Sequence, residues 1–369
     1  MMTRDILEHH ALFAGATINR RLERDLFAIF EWNTGLPPFS LAGWYPDISF
    51  EIYNITRKTD ALVDLREDLK IDVDVTYNLT EFNVIVKDHI FNPSNELELM
   101  YRHSRYGYDV GSFLIPETNN LVGAFGELYL VGNTLQAQLT HRGIIPTIQT
   151  AINPVGRFIQ LRYGYEFNKY NPELEYDEEE NILFTDYDRP SFHRVEGEWR
   201  EHYRLSRYQT LTARLRSGSI LGKTVDDFFN FYIGGLMGMQ GYPFYSLGGN
   251  EYASLNLTYR FSILEGIDFR IAQMQFERLY GSVFADVGDA WTGAFPGVDE
   301  LKRNVGFELR LESFSFYSYP TRIFFSAAYG FDEFTRVFRN EPVTYGKQWN
   351  FYFGILFGFD LGTGSLWKR

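Results

Sequence analysis

Apolar and polar residues alternate with a period of two along most of the chain. In residues 251–261, Ala253, Leu255, Leu257, Tyr259 and Phe261 share one face, while Ser254, Asn256, Thr258 and Arg260 share the other. In 305–311, Val305, Phe307, Leu309 and Leu311 oppose Gly306, Glu308 and Arg310. In 349–359, Trp349, Phe351, Phe353, Ile355, Phe357 and Phe359 fall together. Shorter runs of the same kind occupy 71–79, 159–167 and 211–215. This is the pattern of strands with two unlike faces. A soluble sandwich alternates too, with its apolar side chains inward. Two features favour a membrane barrel instead. The polar face carries charges, among them Arg162, Glu166, Glu308, Arg310 and Glu312, which a water-filled lumen tolerates. The strands also run to about ten residues, more than the usual five or six, and tilted spanning strands need about 9–11.

Strand starts are expected near 10, 24, 46, 70, 82, 96, 122, 134, 156, 194, 208, 250, 279, 303, 320 and 348. The predicted fold is therefore all-β: a membrane-spanning antiparallel β-barrel of about 16 strands, an even number as bacterial single-chain barrels have. It occupies residues 1–360, and 361–369 form a short C-terminal tail. Connections in the second half alternate in length, long at 219–249 and 332–347, short at 314–319. The segment 262–278 should be a short turn, yet it is long for one.

Composition and charge change this picture in five ways. Aromatics are abundant, with 34 Phe, 25 Tyr and 6 Trp, as girdles at two membrane interfaces require. No run approaches the roughly 18 apolar residues of a membrane helix. Residues 1–10 have neither an apolar core nor a small-residue cleavage site, so they are not a signal peptide. The expectation is a mature or truncated chain, cut away from N-terminal periplasmic domains. Cysteine is absent, which removes disulfides and thiolate metal sites. The net charge of −13 argues against nucleic acid, whose binding needs a basic face. Much of that charge sits in 171–181, Asn-Pro-Glu-Leu-Glu-Tyr-Asp-Glu-Glu-Glu-Asn. The segment reads as a solvated external loop. Divalent cations bridging it to lipid headgroups are the sharper alternative, since hard cations prefer oxygen ligands.

The most informative segment is 231–250, Phe-Tyr-Ile-Gly-Gly-Leu-Met-Gly-Met-Gln-Gly-Tyr-Pro-Phe-Tyr-Ser-Leu-Gly-Gly-Asn. Its glycines stand among apolar and aromatic residues, so it reads as a packed loop rather than a floppy linker. The bland alternative is an ordinary glycine-rich external loop. Gly234-Gly235, Met239-Gln240-Gly241-Tyr242 and Gly248-Gly249-Asn250, followed by Phe284-Ala285-Asp286-Val287-Gly288, resemble the BamA-like insertase and translocase superfamily, the surface-antigen barrels. The resemblance covers 230–360 well and 1–220 only in general strand pattern. It implies a long loop folded into the lumen, with five strands after it. In that superfamily an Arg in the loop is held by carboxylates on the lumen face of neighbouring strands. Here the Arg position is Gln240 and one carboxylate position is Thr258, so only Asp286 remains. The expectation is a softer contact, with Gln240 donating to Asp286 beside the Thr258 hydroxyl, and with Tyr242 and Phe244 helping to hold the loop.

The last strand fits a terminal assembly signal at Tyr352, Gly354, Phe357 and Phe359. Gly354 and Gly358 should also weaken packing there and suit a loosely held seam. Enzyme signals are poor. Gly222-Lys223-Thr224 suggests a P-loop, but Ser217 stands where its first glycine is required. His9-His10 have no third ligand at metal spacing, and no cofactor is expected. The resemblance implies a bacterial outer-membrane barrel that inserts polypeptides into the membrane or translocates them across it. Its partners would be lipid, a client polypeptide and periplasmic domains. The other readings are a passive channel, or an anchor for a missing periplasmic or secreted domain.

Overall fold

The computed structural model describes residues 2–4, 9–33, 36, 39–66, 69–115, 120–146, 153–171, 175–177, 182–184, 187–222, 225–316, 319–338 and 341–357. The main sheet contains β1 (Met2–Arg4), β2 (His10–Ile18), β3 (Arg24–Trp32), β4 (Asp47–Arg66) and β5 (Leu69–His89). It continues with β6 (Asn95–Val110), β7 (Phe125–Ile144), β8 (Gly156–Tyr170), β9 (Ser191–Ser206) and β10 (Gln209–Gly222). The last strands are β11 (Glu251–Ile271), β12 (Met274–Trp291), β13 (Lys302–Ser315), β14 (Tyr319–Gly330) and β15 (Trp349–Phe357). The chain forms two compact units, residues 1–140, 162–195 and 221–223 in one, and 141–161, 196–220 and 224–369 in the other.

In the first unit, β1 to β7 hydrogen bond in chain order. One face is polar and covered. Glu51, Asn83 and Arg102 stand opposite one another on β4, β5 and β6, and the Asn83 amide donates to the Glu51 and Glu81 carboxylates at 3.2 and 2.9 Å. Next in sequence, on the other face, Ile52 and Phe82 pair across the same strands and are exposed. A small apolar cluster of Val73, Val75 and Val110, with Tyr108, Phe113 and Phe125 against it, completes this unit.

In the second unit, β10 to β15 also pair in chain order, every pair antiparallel. Register lines up Arg214, Asn256, Asp286, Asn304 and Gly330 in one row across five strands. The burial is inside out for a water-soluble sheet. Asp286, Asn304 and Ser326 are 6, 2 and 0% exposed, whereas Leu257, Phe307 and Phe353 are 45, 39 and 71% exposed. Leu255, Leu309, Phe351 and Ile355 lie outward with them, while Tyr259 is half-buried and stacked on Phe261. The expected fold class holds: an all-β chain of antiparallel strands joined in sequence, the topology of an up-and-down β-barrel.

Two pairs of expected strands give one long strand each, leaving fourteen long ones among the described residues besides β1. The starts at 70 and 82 both fall in β5; that at 134 falls in β7, and that at 122 just before it, in the short strand Asn120–Val122 that pairs with Phe113–Ile115. Asn78 in β5 looks like a turn residue, but its side chain accepts from Thr56 and donates to Asp109 across the neighbouring strands. Gly132-Asn133 in β7 looks like a turn too. Gly132 leaves room for the Ser104 hydroxyl, and Asn133 accepts from the Tyr101 hydroxyl at 2.9 Å. The long 262–278 connection also resolves. β11 continues to Ile271 and β12 starts at Met274, so the turn is only Ala272-Gln273, with Ala272 at φ 51. The acidic 171–181 segment contributes to a short hairpin, Glu175–Asp177 with Ile182–Phe184.

Candidate functional site

The loop between β10 and β11 builds its own scaffold. Asp226 caps a single 3-10 turn, Asp227–Phe229, by accepting from the Phe228 N–H at 2.8 Å. Phe231–Tyr232 then pairs with Gly248–Gly249, closing the base as a two-stranded ladder. Within it, the Ile233, Gly235 and Tyr242 N–H groups donate to Leu247, Tyr242 and Met239 carbonyls at 3.0, 2.7 and 3.1 Å. Gly235 has φ 81, a left-handed conformation that favours glycine. Ile233, Met239, Ser246 and Leu247 are buried, so the loop has an interior of its own.

The loop lies against the polar face of the second unit, as expected of a loop folded inward. Its anchor is Tyr242, which is 0% exposed. The hydroxyl donates to the Arg303 carbonyl at 3.0 Å and accepts from the Asp332 N–H at 3.1 Å, so it is satisfied in both senses. Burial pushes its pKa up to about 12, which keeps the donated proton in place at any physiological pH. Gly241 permits the approach: a Cβ there would stand 2.3 Å from the Cβ of Asn304. Phe244, expected to help hold the loop, is partly exposed; its ring lies over Gly235, where a Cβ would come within 2.4 Å of it, and makes a distant edge contact to Tyr352. Arg336, on the hairpin Phe334–Phe338 with Glu341–Tyr345, reaches over the loop base and donates to the Ser246 and Gly248 carbonyls at 3.3 and 2.8 Å.

The expected bond from Gln240 to Asp286 is not formed. Gln240 Oε1 accepts from the Ser326 hydroxyl at 2.5 Å, and its backbone carbonyl accepts from the Tyr352 hydroxyl at 3.0 Å. The tip therefore docks on β14 and β15 rather than on β11 and β12. Asp286 accepts from Asn256 on β11, and Thr258 donates to the same Asn256 at 2.8 Å. Asn256 stands between the two residues singled out in the sequence and bonds to both, through Oδ1 of Asp286 and the Thr258 hydroxyl, while Oδ2 of Asp286 is buried without a partner. The cation that reaches the tip comes from the sheet: Arg216 on β10 donates to the Met237 carbonyl at 3.1 Å. Its alternation with Arg214 on the polar face of 211–215 was visible in the sequence, but nothing there tied it to the loop.

The other expected residues have mainly steric roles. Phe284 is buried, and Gly306 opposite it leaves room for its ring. Gly288 lies against the Ala253 carbonyl, where a Cβ would come within 2.5 Å. Gly354 does not loosen the last strand as expected. It faces Phe324 on β14, whose ring fills the space a side chain would take. Tyr352 lies on the polar face and holds the loop. Phe357 pairs with Thr321 through its backbone, while Gly358 and Phe359 lie outside the described residues, as do Lys223 and Thr224. His10 stacks on Phe30, and no group of three metal ligands occurs among the described residues.

The clamp around Tyr242 is electrostatic. Asp332 accepts from Arg303 through its N–H, Nε and Nη2 at 2.7, 3.2 and 2.7 Å. The Arg303 guanidinium holds the Asp332 carboxyl below its ordinary range. A carboxyl with a depressed folded pKa stabilises the fold above its unfolded value, about 3.9, and that contribution is lost as pH falls through the folded value. Amide exchange at 240–248, corrected for its intrinsic pH dependence, should therefore rise on acidification below about pH 4 and stay flat from pH 6 to 8. Asp332→Asn should show the raised exchange already at neutral pH. Equal exchange in both proteins at pH 7 would mean that the clamp does not hold the loop.

The chain matches no protein-family model and no curated protein. Among solved structures it is similar to CdiB from Escherichia coli, with a TM-score of 0.53 and 11% identity over 96% of this chain and 58% of that one. It is likewise similar to CdiB from Acinetobacter baumannii, with a TM-score of 0.51 and 12% identity over 96% of this chain and 55% of that one. The chain thus spans a little over half the length of each, and what it shares with them is the fold, an antiparallel β-barrel.

Proposed function

We propose that this chain is a bacterial outer-membrane barrel that inserts polypeptides into the membrane or translocates them across it. The observation that carries the reading is the loop 225–250, docked on the polar face by Tyr242 and Gln240. A self-supporting segment anchored by a buried tyrosine suits a polypeptide conduit, which needs a plug that holds and releases. The outward apolar face of β11, β13 and β15 supports a lipid environment, because exposed leucines and phenylalanines in that number are costly in water. The fold shared with CdiB is consistent with the same reading. The work would be conformational and involve no enzymatic step.

The test is reconstitution of the chain into lipid vesicles. Two quantities are followed: the folding rate of a urea-unfolded eight-stranded barrel added outside, and the entry of an unfolded, labelled polypeptide into the vesicle interior. Acceleration of either over protein-free vesicles supports the reading. Ion conductance with neither activity supports the passive channel. Absence of all three, with correct membrane integration, supports a membrane anchor.

A further inference from the structure

Beneath the loop tip, between it and the polar face of the second unit, lies a cavity of about 630 Å³. That is within the range of ligand-sized sites, about 300–1,000 Å³. Its lining is unusual for a chain whose net charge is −13. Five guanidinium groups face it, those of Arg200, Arg214, Arg216, Arg260 and Arg310. Three carboxylates stand against them. Glu198 takes the fork of Arg214 at 2.9 and 3.0 Å and also pairs with Arg200. Glu308 takes one nitrogen of Arg310 at 2.7 Å and shares a row with Arg260 across β11, β12 and β13. Asp286 is the third. Arg216 donates a hydrogen bond to a neutral carbonyl, that of Met237, and the Nε of Arg310 is buried with no hydrogen-bond partner. The local balance is therefore positive, and donors remain to be used.

Resting on the reading above, we propose that this cavity binds carboxylate-bearing polypeptide segments. The chemistry is that of guanidinium forks, which match carboxylates in shape and charge and are more weakly hydrated than ammonium groups. Clefts lined by one sign of charge also concentrate ions of the other sign. Acidic stretches are what such a site draws in. The apolar side chains of Leu236 and Met237, which roof it, give such a segment a hydrocarbon surface to lie along.

Met237 supplies the probe. The sequence contains no cysteine, so Met237→Cys carries the single thiol of the protein. It is modified with an anionic sulfonatoethyl and a cationic trimethylammonioethyl methanethiosulfonate, each rate normalised to mercaptoethanol. The expected ratio favours the anionic reagent by about tenfold, falls in 1 M salt, and collapses when Arg216→Gln and Arg310→Gln are added. Deca-glutamate should slow the modification severalfold more than deca-lysine does. Unchanged heat-modifiable migration on gels confirms that each variant is folded. Preference for the cationic reagent, no preference, or equal protection by the two peptides would overturn the proposal. None of these readings requires transport, so a chain that prefers acidic peptide but moves no polypeptide would defeat the proposed function alone.

Discussion

Tyr242→Ala should free the loop while leaving the sheet folded. The side chain is fully buried, and truncating a large buried aromatic costs about 3–5 kcal/mol. The tip would keep its bonds to Ser326 and Tyr352, each worth about 0.5–1.5 kcal/mol, which together do not make up the loss. Phe244 and Tyr245 are exposed and offer a chymotrypsin site once the loop moves. Cleavage there should accelerate by more than about tenfold, the factor that 1.4 kcal/mol brings. Heat-modifiable migration should not change, because Tyr242 contributes nothing to the strand ladders. Tyr242→Phe is the finer variant. It keeps the ring but leaves the Asp332 N–H without a partner, at about 1–3 kcal/mol, while the Arg303 carbonyl keeps the Phe331 N–H at 2.9 Å. A Tyr242→Ala protein as resistant as the parent would mean that the loop is held elsewhere.

Leu257→Arg and Thr258→Arg make the second large contrast. The two residues are neighbours on β11 and point to opposite faces, Leu257 outward and Thr258 into the cavity. A charge facing lipid at mid-membrane costs about 2–4 kcal/mol in barrels of this kind. On the polar face an added arginine joins a hydrated, charged lining and should cost less than half as much, although it adds to a surplus of positive charge. Urea unfolding in vesicles reads both. Equal losses, or a larger loss for Thr258→Arg, would reverse the assignment of the faces and remove the membrane reading with it.

The alternation of side chains made the strands and their faces legible, because a period of two needs no tertiary information. It misplaced boundaries where polar residues in mid-strand make cross-strand contacts, as Asn78 and Asn133 do. The loop was legible as a packed object from glycines set among aromatics, and Tyr242 was recognisable as an anchor. Its docking partners were not. Ser326 looks like an ordinary member of an alternating run, Tyr352 stands out only as part of the terminal signal, and Asp332 follows β14 with no motif around it. The substitution of Gln240 was visible, and the inference that its amide would seek the remaining carboxylate was chemically reasonable. It failed because Asn256, opposite Asp286 in the same row, already donates to it, and Gln240 bonds to Ser326 and Tyr352 instead. Gly354 misled for a related reason: a glycine in a strand weakens it only if no neighbour fills the gap, and Phe324 does.

Two of the attachments of the loop respond differently to ionic strength. Near Tyr242 the Arg303–Asp332 pair is charged, and its arginine side chain is 62% exposed. At the tip the bonds from Ser326 and Tyr352 to Gln240 are neutral. Raising salt from about 0.1 to 1 M shortens the screening length from about 10 to 3 Å. That weakens the exposed pair and leaves the neutral bonds almost untouched. Concentrated salt should thus detach the loop from the Asp332 side first, so that it hinges about Gln240. An arginine at position 240, paired with a carboxylate on the sheet, would make both attachments sensitive to salt and remove that order of release.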